Sequence, residues 1–569
     1  MIDVLILRRA ADIPAALAIL PGLAPGWRAL CFDPLVVDHA FFAGIHNIEF
    51  FSWPDCPSLE LLDGNSHGLA RAFEAKLAKL CEPYFPDCDL RGWQHLNLYY
   101  LLISLQWYDG LWQRVLSMLQ GCRVHLFVCD APLHYYFNAG LPVLQLEQRL
   151  QDLPDTVTEL HAYQDDKLDL RQLVPNFPGR LEQSTRPFVL SHLPTCMYDL
   201  LYINQQLQAS GLAVVNVKAR HFDMPVWANQ HVELEEFDVL LAQMTPEVAT
   251  PLQRIEGVLQ AELERLLGIW LPEGELRQRQ AQYMARTYQA QLLTWVLFTM
   301  YLLQTKPICL LLSDHNADFH GPLMSVARNK QVPVLVLPHA KTVARTDFDW
   351  PQQIALPHPL QGGPSLDLQQ EALPQQCLNY PETRQLRPVR QVRTVGLLLN
   401  SHSLNGVYCC PYSQYMEDMR RIMQWCQEQG LSLRVRGKPS YSLVRLMGMH
   451  AGLDLTGQIN ALQGTIQDFV EQTDVCLMYD TPTSGCIEFL RRGAPIFNPV
   501  SRALTATEAT FASAELIPRA DLETILSQVA ALLQQPDELE RFRQRQFARY
   551  DARFTGRPEL ADCLRKLAP

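Results

Sequence analysis

The sequence predicts an α/β protein made of several doubly wound domains with parallel sheets. Short apolar runs that end in polar, glycine or proline residues recur along the chain, and each is followed by a stretch of helical periodicity. This pattern is typical of parallel strands that are buried on both faces by the helices connecting them. The chain of 569 residues is also long enough for several domains, each with its own hydrophobic core.

The first block covers residues 1–150 and is predicted to be an N-terminal Rossmann-like α/β domain. A strand is predicted at Val4–Leu7, a long helix at Leu96–Leu119 and another strand at Val124–Asp130. The short apolar run Leu141–Leu146 predicts a further strand.

The second block covers residues 185–350 and ends in the same way as the first. Long helices are predicted from Glu233 to Leu303, and the strand Ile308–Asp314 is followed by the strand Val332–Leu337. This similarity fits either a remote internal repeat or two α/β units that are alike for physical reasons alone. Two earlier strands are predicted at Pro187–His192 and Ala213–Val217.

A proline-rich connector spans residues 351–391. Its prolines and Gly362–Gly363 indicate an extended chain rather than a packed element. Four arginines close the connector, and we interpret them as a solvated, partner-facing surface rather than a phosphate site. They are Arg384, Arg387, Arg390 and Arg393.

The third block, residues 392–540, has the clearest alternation of strands and helices, and a helical tail follows at 541–569. Gly430 is a natural end for its first helix, because glycine readily adopts the left-handed conformation found there. The predicted strands are Thr394–Asn400, Leu431–Arg436, Val475–Tyr479 and Ala494–Asn498, and the predicted helices are Gln414–Gln429, Thr465–Gln472, Gly485–Arg492 and Asp537–Arg553.

Charge and motif content argue against several classes of function. The chain has 48 basic and 60 acidic residues, a net charge of -12, which argues against nucleic acid as a partner because phosphates would be repelled. The motifs GxGxxG and GxxxxGKS/T are absent, which argues against a dinucleotide oxidoreductase and a P-loop NTPase. No cofactor is predicted.

Cysteine content and hydropathy bear on the location of the protein. The 15 cysteines include no CxxC pair, which indicates free, buried thiols in a reducing cytoplasm. The longest apolar stretch, Leu292–Leu303, is too short to cross a bilayer, for which roughly 20 residues are needed. We therefore expect a cytoplasmic protein, and peripheral attachment to the inner face of a membrane is left open.

Polar residues follow the strands of the third block, at the edge where doubly wound sheets bind ligands. Thr483, Ser484 and Gly485 open a helix whose N–H groups attract an anion, and we expect Glu488 to accept hydrogen bonds from ribose hydroxyls. A plain N-cap role for Thr483 or Ser484 is the alternative. The nucleotide-sugar-binding candidates are Asn400, Ser401, Arg436, Lys438, Pro439, Thr483, Ser484, Gly485 and Glu488.

The same residues resemble a family. Lys438–Pro439, Thr483–Ser484 and the pattern S-x-x-x-E-x-x-x-x-G-x-P from Ser484 to Pro495 are similar to the C-terminal half of GT-B glycosyltransferases of bacterial surface-polysaccharide assembly. Sialyltransferases, capsule Kdo transferases and teichoic-acid glycerophosphotransferases usually have His-Pro and Ser-Ser at the two dipeptides. The resemblance implies a GT-B-like pair of Rossmann-type domains, with the additional N-terminal α/β domain in front of it.

In a GT-B enzyme the acceptor and catalytic groups come from the N-terminal half. A carboxylate there would deprotonate the acceptor hydroxyl or attack the anomeric carbon, while His339 and Lys341 would offset charge on the leaving phosphate. For Asp314 a plain helix-capping role is the alternative. Most candidates follow the last two strands of the second block, namely Asp314, His315, Asp318, His339 and Lys341. A further candidate, His192, stands at the end of the block's first strand.

The resemblance implies a metal-independent glycosyltransferase that moves a sugar, such as Kdo or a sialic-acid-like sugar, from a nucleotide-sugar to a bacterial surface glycan or lipid-linked glycan. Glycerol phosphate transfer is a close variant, and contact with an assembly complex is left open. The DxD triplets Asp87–Asp89 and Asp347–Asp349 follow no clear strand, so no metal is predicted. The alternatives are a nucleotide-sugar 2-epimerase and a degenerate GT-B protein that binds a glycan or a partner transferase.

Overall fold

The structure, a computed structural model, describes most of the chain, and three parallel sheets organise it. The described residues are 1–51, 59–129, 141–164, 171–177, 187–193, 200–218, 230–313, 319–337, 353–355, 384–388, 391–399, 403–404, 407–408, 412–437, 447–448, 452, 465–480, 485–501, 516–552 and 558–567.

The N-terminal part of the chain forms a sheet of five parallel strands. The strands are β1 (Asp3–Leu7), β2 (Arg28–Cys31), β3 (Ile48–Phe50), β4 (Arg123–Cys129) and β5 (Val157–Tyr163). The helices are α1 (Ile13–Ile19), α2 (Pro34–Phe42), α3 (Leu59–Cys81), α4 (His95–Leu119) and α5 (Leu141–Gln151). The strand order β3-β2-β1-β4-β5 is doubly wound, because the sheet grows in opposite directions from its first strand.

One predicted strand of this part is a helix. Residues 141–146 belong to α5, whose buried side chains Val143, Leu146 and Leu150 recur every three or four residues. That spacing buries one stripe of a helix, whereas a strand buries alternate residues. The prediction was wrong because a short apolar run has no clear period of its own, and the similarity between the ends of the first two blocks does not extend to this element.

The middle of the chain forms a sheet of six parallel strands in the order β13-β12-β11-β7-β8-β9. Its strands are β7 (Phe188–His192), β8 (Ala213–Val217), β9 (Gln230–Val232), β11 (Cys309–Ser313), β12 (Val334–Leu337) and β13 (Gln353–Ala355), and β6 (Leu173–Pro175) pairs separately with β10 (Leu234–Glu236). The helices are α6 (Leu200–Ser210), α7 (Phe237–Gln243), α8 (Pro246–Leu267), α9 (Glu275–Gln304) and α10 (His320–Asn329).

The third sheet has five parallel strands in the order β17-β14-β18-β19-β20. They are β14 (Thr394–Leu399), β17 (Ser432–Arg436), β18 (Val475–Tyr479), β19 (Ile496–Val500) and β20 (Arg519–Asp521), with β15 (Ser403–Leu404) and β16 (Val407–Tyr408) as a separate pair. The helices are α11 (Tyr412–Glu428), α12 (Ile466–Glu471), α13 (Cys486–Arg491), α14 (Leu522–Leu533), α15 (Pro536–Ala552) and α16 (Leu560–Leu567).

The predicted fold class is confirmed, since two doubly wound sheets follow an N-terminal one. Numbered along the chain, the strands of the second sheet lie in the order 3-2-1-4-5-6 and those of the third in the order 2-1-3-4-5. Both orders reverse beside the first strand, as in Rossmann-type units. The connector was predicted to be an extended chain without packed elements, but its residues Gln353–Ala355 form an edge strand that pairs with β12.

Helices join the first and second sheets through a shared core. Apolar side chains of α3 and α4 form one buried cluster with those of α8 and α9, including Phe73, Leu102 and Leu259. The buried carboxylate of Glu74 in α3 accepts hydrogen bonds of 2.7 Å from the N–H groups of Gly92 and Gln94. A buried charge is tolerated only when such donors replace water.

The last helix ties the third sheet to the second. Leu560 and Leu564 of α16 are fully buried in a cluster that also contains Tyr202 and Leu207 of α6. The Gln206 side chain donates to Glu559 at 3.2 Å and accepts from the Ala561 N–H at 3.1 Å. The C-terminus therefore returns across the chain to pack on the middle sheet.

The arginines of the connector do not share one environment. Arg387 is 5% exposed and donates to the carbonyl groups of Val470 and Asp474, each at 3.0 Å. The predicted solvated surface was wrong for this side chain, because carbonyl groups beside α12 offer fixed acceptors for a buried guanidinium. Arg384 pairs with Asp551 at 2.6 Å, Arg393 is exposed, and Arg390 lies outside the described residues.

The ten cysteines of the described residues are free and buried, as predicted. In the same part of the chain, no helix is both long enough and apolar enough to cross a bilayer.

Truncating Leu564 to Ala should destabilise the protein, because the change leaves a cavity between α16 and α6. A buried Leu→Ala change costs about 2–5 kcal/mol, so the unfolding temperature should fall by several degrees. Leu303→Ala is the matched control, since the Leu303 side chain is 73% exposed. Equal unfolding temperatures for the two variants would contradict the docking of α16.

Candidate functional site

Ligands of doubly wound sheets bind where the strand order reverses, outside the carboxyl ends of the two strands concerned. In the third sheet these strands are β14 and β18, whose last residues Leu399 and Tyr479 are paired. The next residues along the chain are Asn400 and Asp480. Asp480 therefore stands directly at the reversal point of the third sheet.

The backbone of Asp480 has a conformation that few residues adopt. Its φ angle is 58°, in the left-handed region where a non-glycine residue costs about 1–3 kcal/mol. The Asn498 side chain fixes this turn by donating to the carbonyl groups of Met478 at 2.6 Å and Asp480 at 2.9 Å. Such strain is typical of functional sites, where surrounding contacts enforce it.

The carboxyl group of Asp480 is buried, and its pKa is raised. It is 6% exposed, and its Oδ1 accepts hydrogen bonds from the N–H of Ser501 at 3.1 Å and the hydroxyl of Ser501 at 3.0 Å. Burial raises the pKa of Asp480 to about 6, although the two Ser501 hydrogen bonds oppose the shift. A group of this kind exchanges a proton within the physiological range.

A second buried carboxyl group supports the same strand end from α11. The Tyr479 hydroxyl donates to Asp418 Oδ2 at 2.5 Å, and the Gln414 amide donates to Asp418 Oδ1 at 2.8 Å. Burial raises the pKa of Asp418, and its charge contributes to the raised pKa of Asp480. The Asp418 charge is a smaller contribution to the raised pKa of Asp480 than burial is.

Three predicted binding residues lie in described parts of the third sheet. Glu488 is 3% exposed in α13, and its Oε2 accepts a hydrogen bond from Arg491 Nε. Gly485 precedes α13 as its N-cap residue. Arg436 ends β17 beside Leu398 of β14, and burial lowers the pKa of its half-buried guanidinium. Their predicted roles toward a nucleotide stay predictions.

The structure explains why glycine occupies its position in the S-x-x-x-E-x-x-x-x-G-x-P pattern. Gly493 ends α13 with a φ angle of 60°, and its N–H donates to the carbonyl group of Leu490 at 3.0 Å. A Cβ atom at this position would come within 2.2 Å of Leu386. Glycine in this pattern therefore allows the end of α13 to pack closely against Leu386 of the connector, whether or not the pattern also contacts a ligand.

In the second sheet the reversal lies between β7 and β11. His192 is the last residue of β7, and its Nδ1 is 2.7 Å from Nε2 of His320, the first residue of α10. Both rings are buried, and the edge of Phe319 packs against His192 with ring centroids 4.8 Å apart. The structure thus brings the predicted candidate His192 to the reversal point and pairs it with His320.

A close approach fixes the start of α10. A Cβ atom on Gly321 would lie 2.7 Å from Trp93 Cδ1 and 2.8 Å from Trp93 Cα. Only glycine therefore lets Trp93 of the first block pack directly on α10 beside His320. The first block supports the second-sheet reversal point in this way.

The remaining predicted site residues lie outside the described residues. In the second block of the sequence these are Asp314, His315, Asp318, His339 and Lys341. In the third block they are Asn400, Ser401, Lys438, Pro439, Thr483 and Ser484.

Sequence reasoning missed Asp418, Asp480 and His320 as site residues. Asp480 follows a strong apolar strand, which is a signal that was available in the sequence. Asp418 sits in the middle of α11, and only the packing of that helix on β18 brings it to Tyr479. The pairing of His320 with His192 depends on strands β7 and β11 being neighbours, although the two residues are far apart in sequence.

Comparisons with known proteins give distant structural similarity only. No family model matches the chain, and no curated protein matches it. MurG of Acinetobacter baumannii is similar to 67% of this chain over 99% of its own length, with 11% identity and a TM-score of 0.35. The glycosyltransferase SnogD of Streptomyces nogalater is similar to 68% of this chain over 99% of its own length, with 11% identity and a TM-score of 0.33.

A UDP-forming α,α-trehalose-phosphate synthase of Burkholderia vietnamiensis is similar to 67% of this chain over 98% of its own length, with 10% identity and a TM-score of 0.36. At identities and TM-scores this low, no residue role or activity is transferred from these proteins to the chain.

Asp480→Asn should stabilise the protein above pH 6. The pKa of Asp480 rises from 3.8 to about 6 on folding, so the stability that this carboxyl contributes is present below pH 3.8 and is lost as the pH rises through 6. Asparagine stays neutral, accepts the same hydrogen bonds and tolerates the left-handed conformation. The gain should be about 1–3 kcal/mol at pH 8 and should shrink steadily toward pH 4.

Thermal unfolding of the variant and the parent protein at several pH values between 4 and 8 measures this gain. Asp562→Asn, which removes a half-exposed carboxylate that pairs with Arg565 on α16, is the control for the loss of one charge. A gain that is independent of pH would show that Asp480 is not a group with a raised pKa.

Proposed function

We propose that the chain is a glycosyltransferase that takes a sugar from a nucleotide-sugar donor. The observation that carries this proposal is the position of the family-like pattern. The pattern begins at Ser484, five residues after the last residue of β18, and β18 is one of the two strands at the reversal point of the third sheet. The family-like pattern is therefore close in sequence to a strand end where doubly wound sheets bind ligands.

The donor is proposed to bind at the third-sheet reversal point. Arg436, at the end of β17, lies next to β14 in the sheet, and Lys438 follows two residues later. Arg436 and Lys438 together would supply two cations to a diphosphate. Asp480 is suited to proton exchange there because its pKa is about 6.

The acceptor side is proposed to be the second-sheet reversal point. The resemblance implies a carboxylate as base or nucleophile, either at Asp314, the residue after β11, or at Asp318, four residues further along the chain. The buried His192–His320 pair lies on the neighbouring strand end and the following helix. A hydrogen-bonded imidazole pair of this kind fixes the position of each ring and suits an orienting role beside the reacting groups.

The proposal also includes the substrates, the metal independence and the location that the sequence predicts. They are a Kdo-like or sialic-acid-like sugar, a bacterial surface glycan or lipid-linked acceptor, independence of metal ions in the transfer step, and a cytoplasmic location with contact to a membrane or assembly complex. The support for them is the resemblance at Lys438–Pro439 and Ser484–Pro495.

The first test is a panel of CMP-, UDP- and GDP-sugars in a thermal-unfolding assay. One of them should raise the unfolding temperature, because a ligand that binds only the folded state stabilises it. Lys438→Ala should weaken this protection about tenfold or more in apparent affinity, whereas Lys306→Ala, on another part of the chain, should leave it unchanged. Protection by none of the nucleotides would favour the degenerate GT-B protein.

The second test addresses catalysis. Asp314→Asn should keep donor protection while transfer to an acceptor falls at least a hundredfold, because the base or nucleophile is lost. Retained transfer would remove Asp314 from the mechanism. Release of an epimerised nucleotide-sugar without an acceptor would instead identify the 2-epimerase.

A further inference from the structure

A cluster of polar side chains lies on one face of the first sheet, whereas the two reversal points described above belong to the second and third sheets. Asp3 of β1, His125 of β4, and Glu159 and His161 of β5 belong to it. His125 and Glu159 are directly paired across β4 and β5, and His161 is two residues further along the same face. Three neighbouring strands therefore contribute to one cluster.

The distances within the cluster are short. His125 Nδ1 is 3.0 Å from His161 Nε2 and 3.5 Å from Glu159 Oε2. Each of the three residues His125, Glu159 and His161 offers one potential ligand atom, and these three atoms lie within 4.8 Å of one another. A tetrahedral zinc ion with bonds of about 2.0–2.1 Å separates its ligand atoms by about 3.3 Å, and the observed separations bracket this value.

Asp3 fixes the orientation of the His125 ring. Asp3 Oδ1 is 3.1 Å from His125 Nε2, and Asp3 Oδ2 accepts a hydrogen bond of 3.0 Å from the Ala24 N–H. With the Nε2 proton directed to Asp3, the lone pair of Nδ1 points to His161 and Glu159. This is the carboxylate–histidine arrangement that supports metal-binding histidines in proteins.

The local charge also favours a dication. Asp3 and Glu159 each carry a negative charge, and Arg123 lies 3.4 Å from Glu159 Oε1 and 3.8 Å from Asp3 Oδ1. Arg123 therefore faces the other oxygen of Glu159 and leaves Oε2 toward His125. With neutral imidazoles, these groups have a net charge of about −1.

We propose that His125 Nδ1, His161 Nε2 and the Glu159 carboxylate form a binding site for a divalent transition-metal ion of the zinc type. Two imidazoles and one carboxylate are a common zinc ligand set, and a water molecule completes the tetrahedron. Asp3 is a positioning residue, because it acts through His125.

The site is structural rather than part of the transfer step. His125 lies four residues before the end of β4, about 13 Å from the carboxyl edge of the first sheet. Two of the three ligands are on β5, the edge strand of the sheet. A metal ion there clamps the edge strand to β4, and this role is independent of the proposed glycosyltransferase activity.

The test uses the full chain after chelation and dialysis, titrated with Zn²⁺ and, separately, with Co²⁺. The parent protein should bind one Zn²⁺ per chain, and the Co²⁺ form should show the visible absorption of a four-coordinate site without a thiolate band, which excludes the cysteines. His161→Gln and Glu159→Gln should each weaken Zn²⁺ binding at least tenfold. Asp3→Asn should weaken it about 10- to 100-fold.

His231→Gln is the matched control, since His231 is an exposed histidine on β9, the edge strand of the second sheet. It should bind Zn²⁺ as tightly as the parent protein. Glu159 has a side chain that is 42% exposed, so Glu159→Gln is expected to fold, and circular dichroism checks this. Equal Zn²⁺ affinity for the parent protein and Glu159→Gln, or no stoichiometric binding by the parent protein, would overturn the proposal.

Discussion

Parallel pairing of strands is the constraint on which the rest of this structure depends. A parallel pair needs a crossover, and crossover helices bury both faces of the sheet, so each sheet exposes only its edges. In the second and third sheets the strand order reverses beside β7 and β14, respectively. The ends of β7 and β11, and of β14 and β18, are therefore the places where polar side chains stand at the boundary of a core, and His192 and Asp480 are buried there.

The two reversal points differ in chemistry. The third sheet presents a buried carboxyl group with a raised pKa, Asp480, on a strained turn that Asn498 fixes. The second sheet presents the buried His192–His320 pair. Polar groups at the reversal points of two separate sheets suit a reaction between two substrates, each bound at one sheet, as the proposed glycosyltransferase requires.

The three sheets support each other through helices rather than through strands. α3 and α4 share a core with α8 and α9, and α16 returns from the C-terminus to α6. Trp93 packs on Gly321 next to His320, so the N-terminal part supports the second-sheet reversal point. The N-terminal sheet carries its own polar cluster around His125, and the metal ion proposed there would clamp β5 to β4.

The sequence by itself determined the α/β class and the third block, because strong apolar runs such as Val475–Tyr479 and a helix ending at Gly430 are local signals. It did not determine the element at Leu141, where a short apolar run fits either period, nor the environment of Arg387. Only the tertiary structure decided which strand ends are neighbours. His320 beside His192, Asp418 beside Tyr479 and His161 beside His125 are contacts between residues distant in sequence, and strand order and helix packing create them.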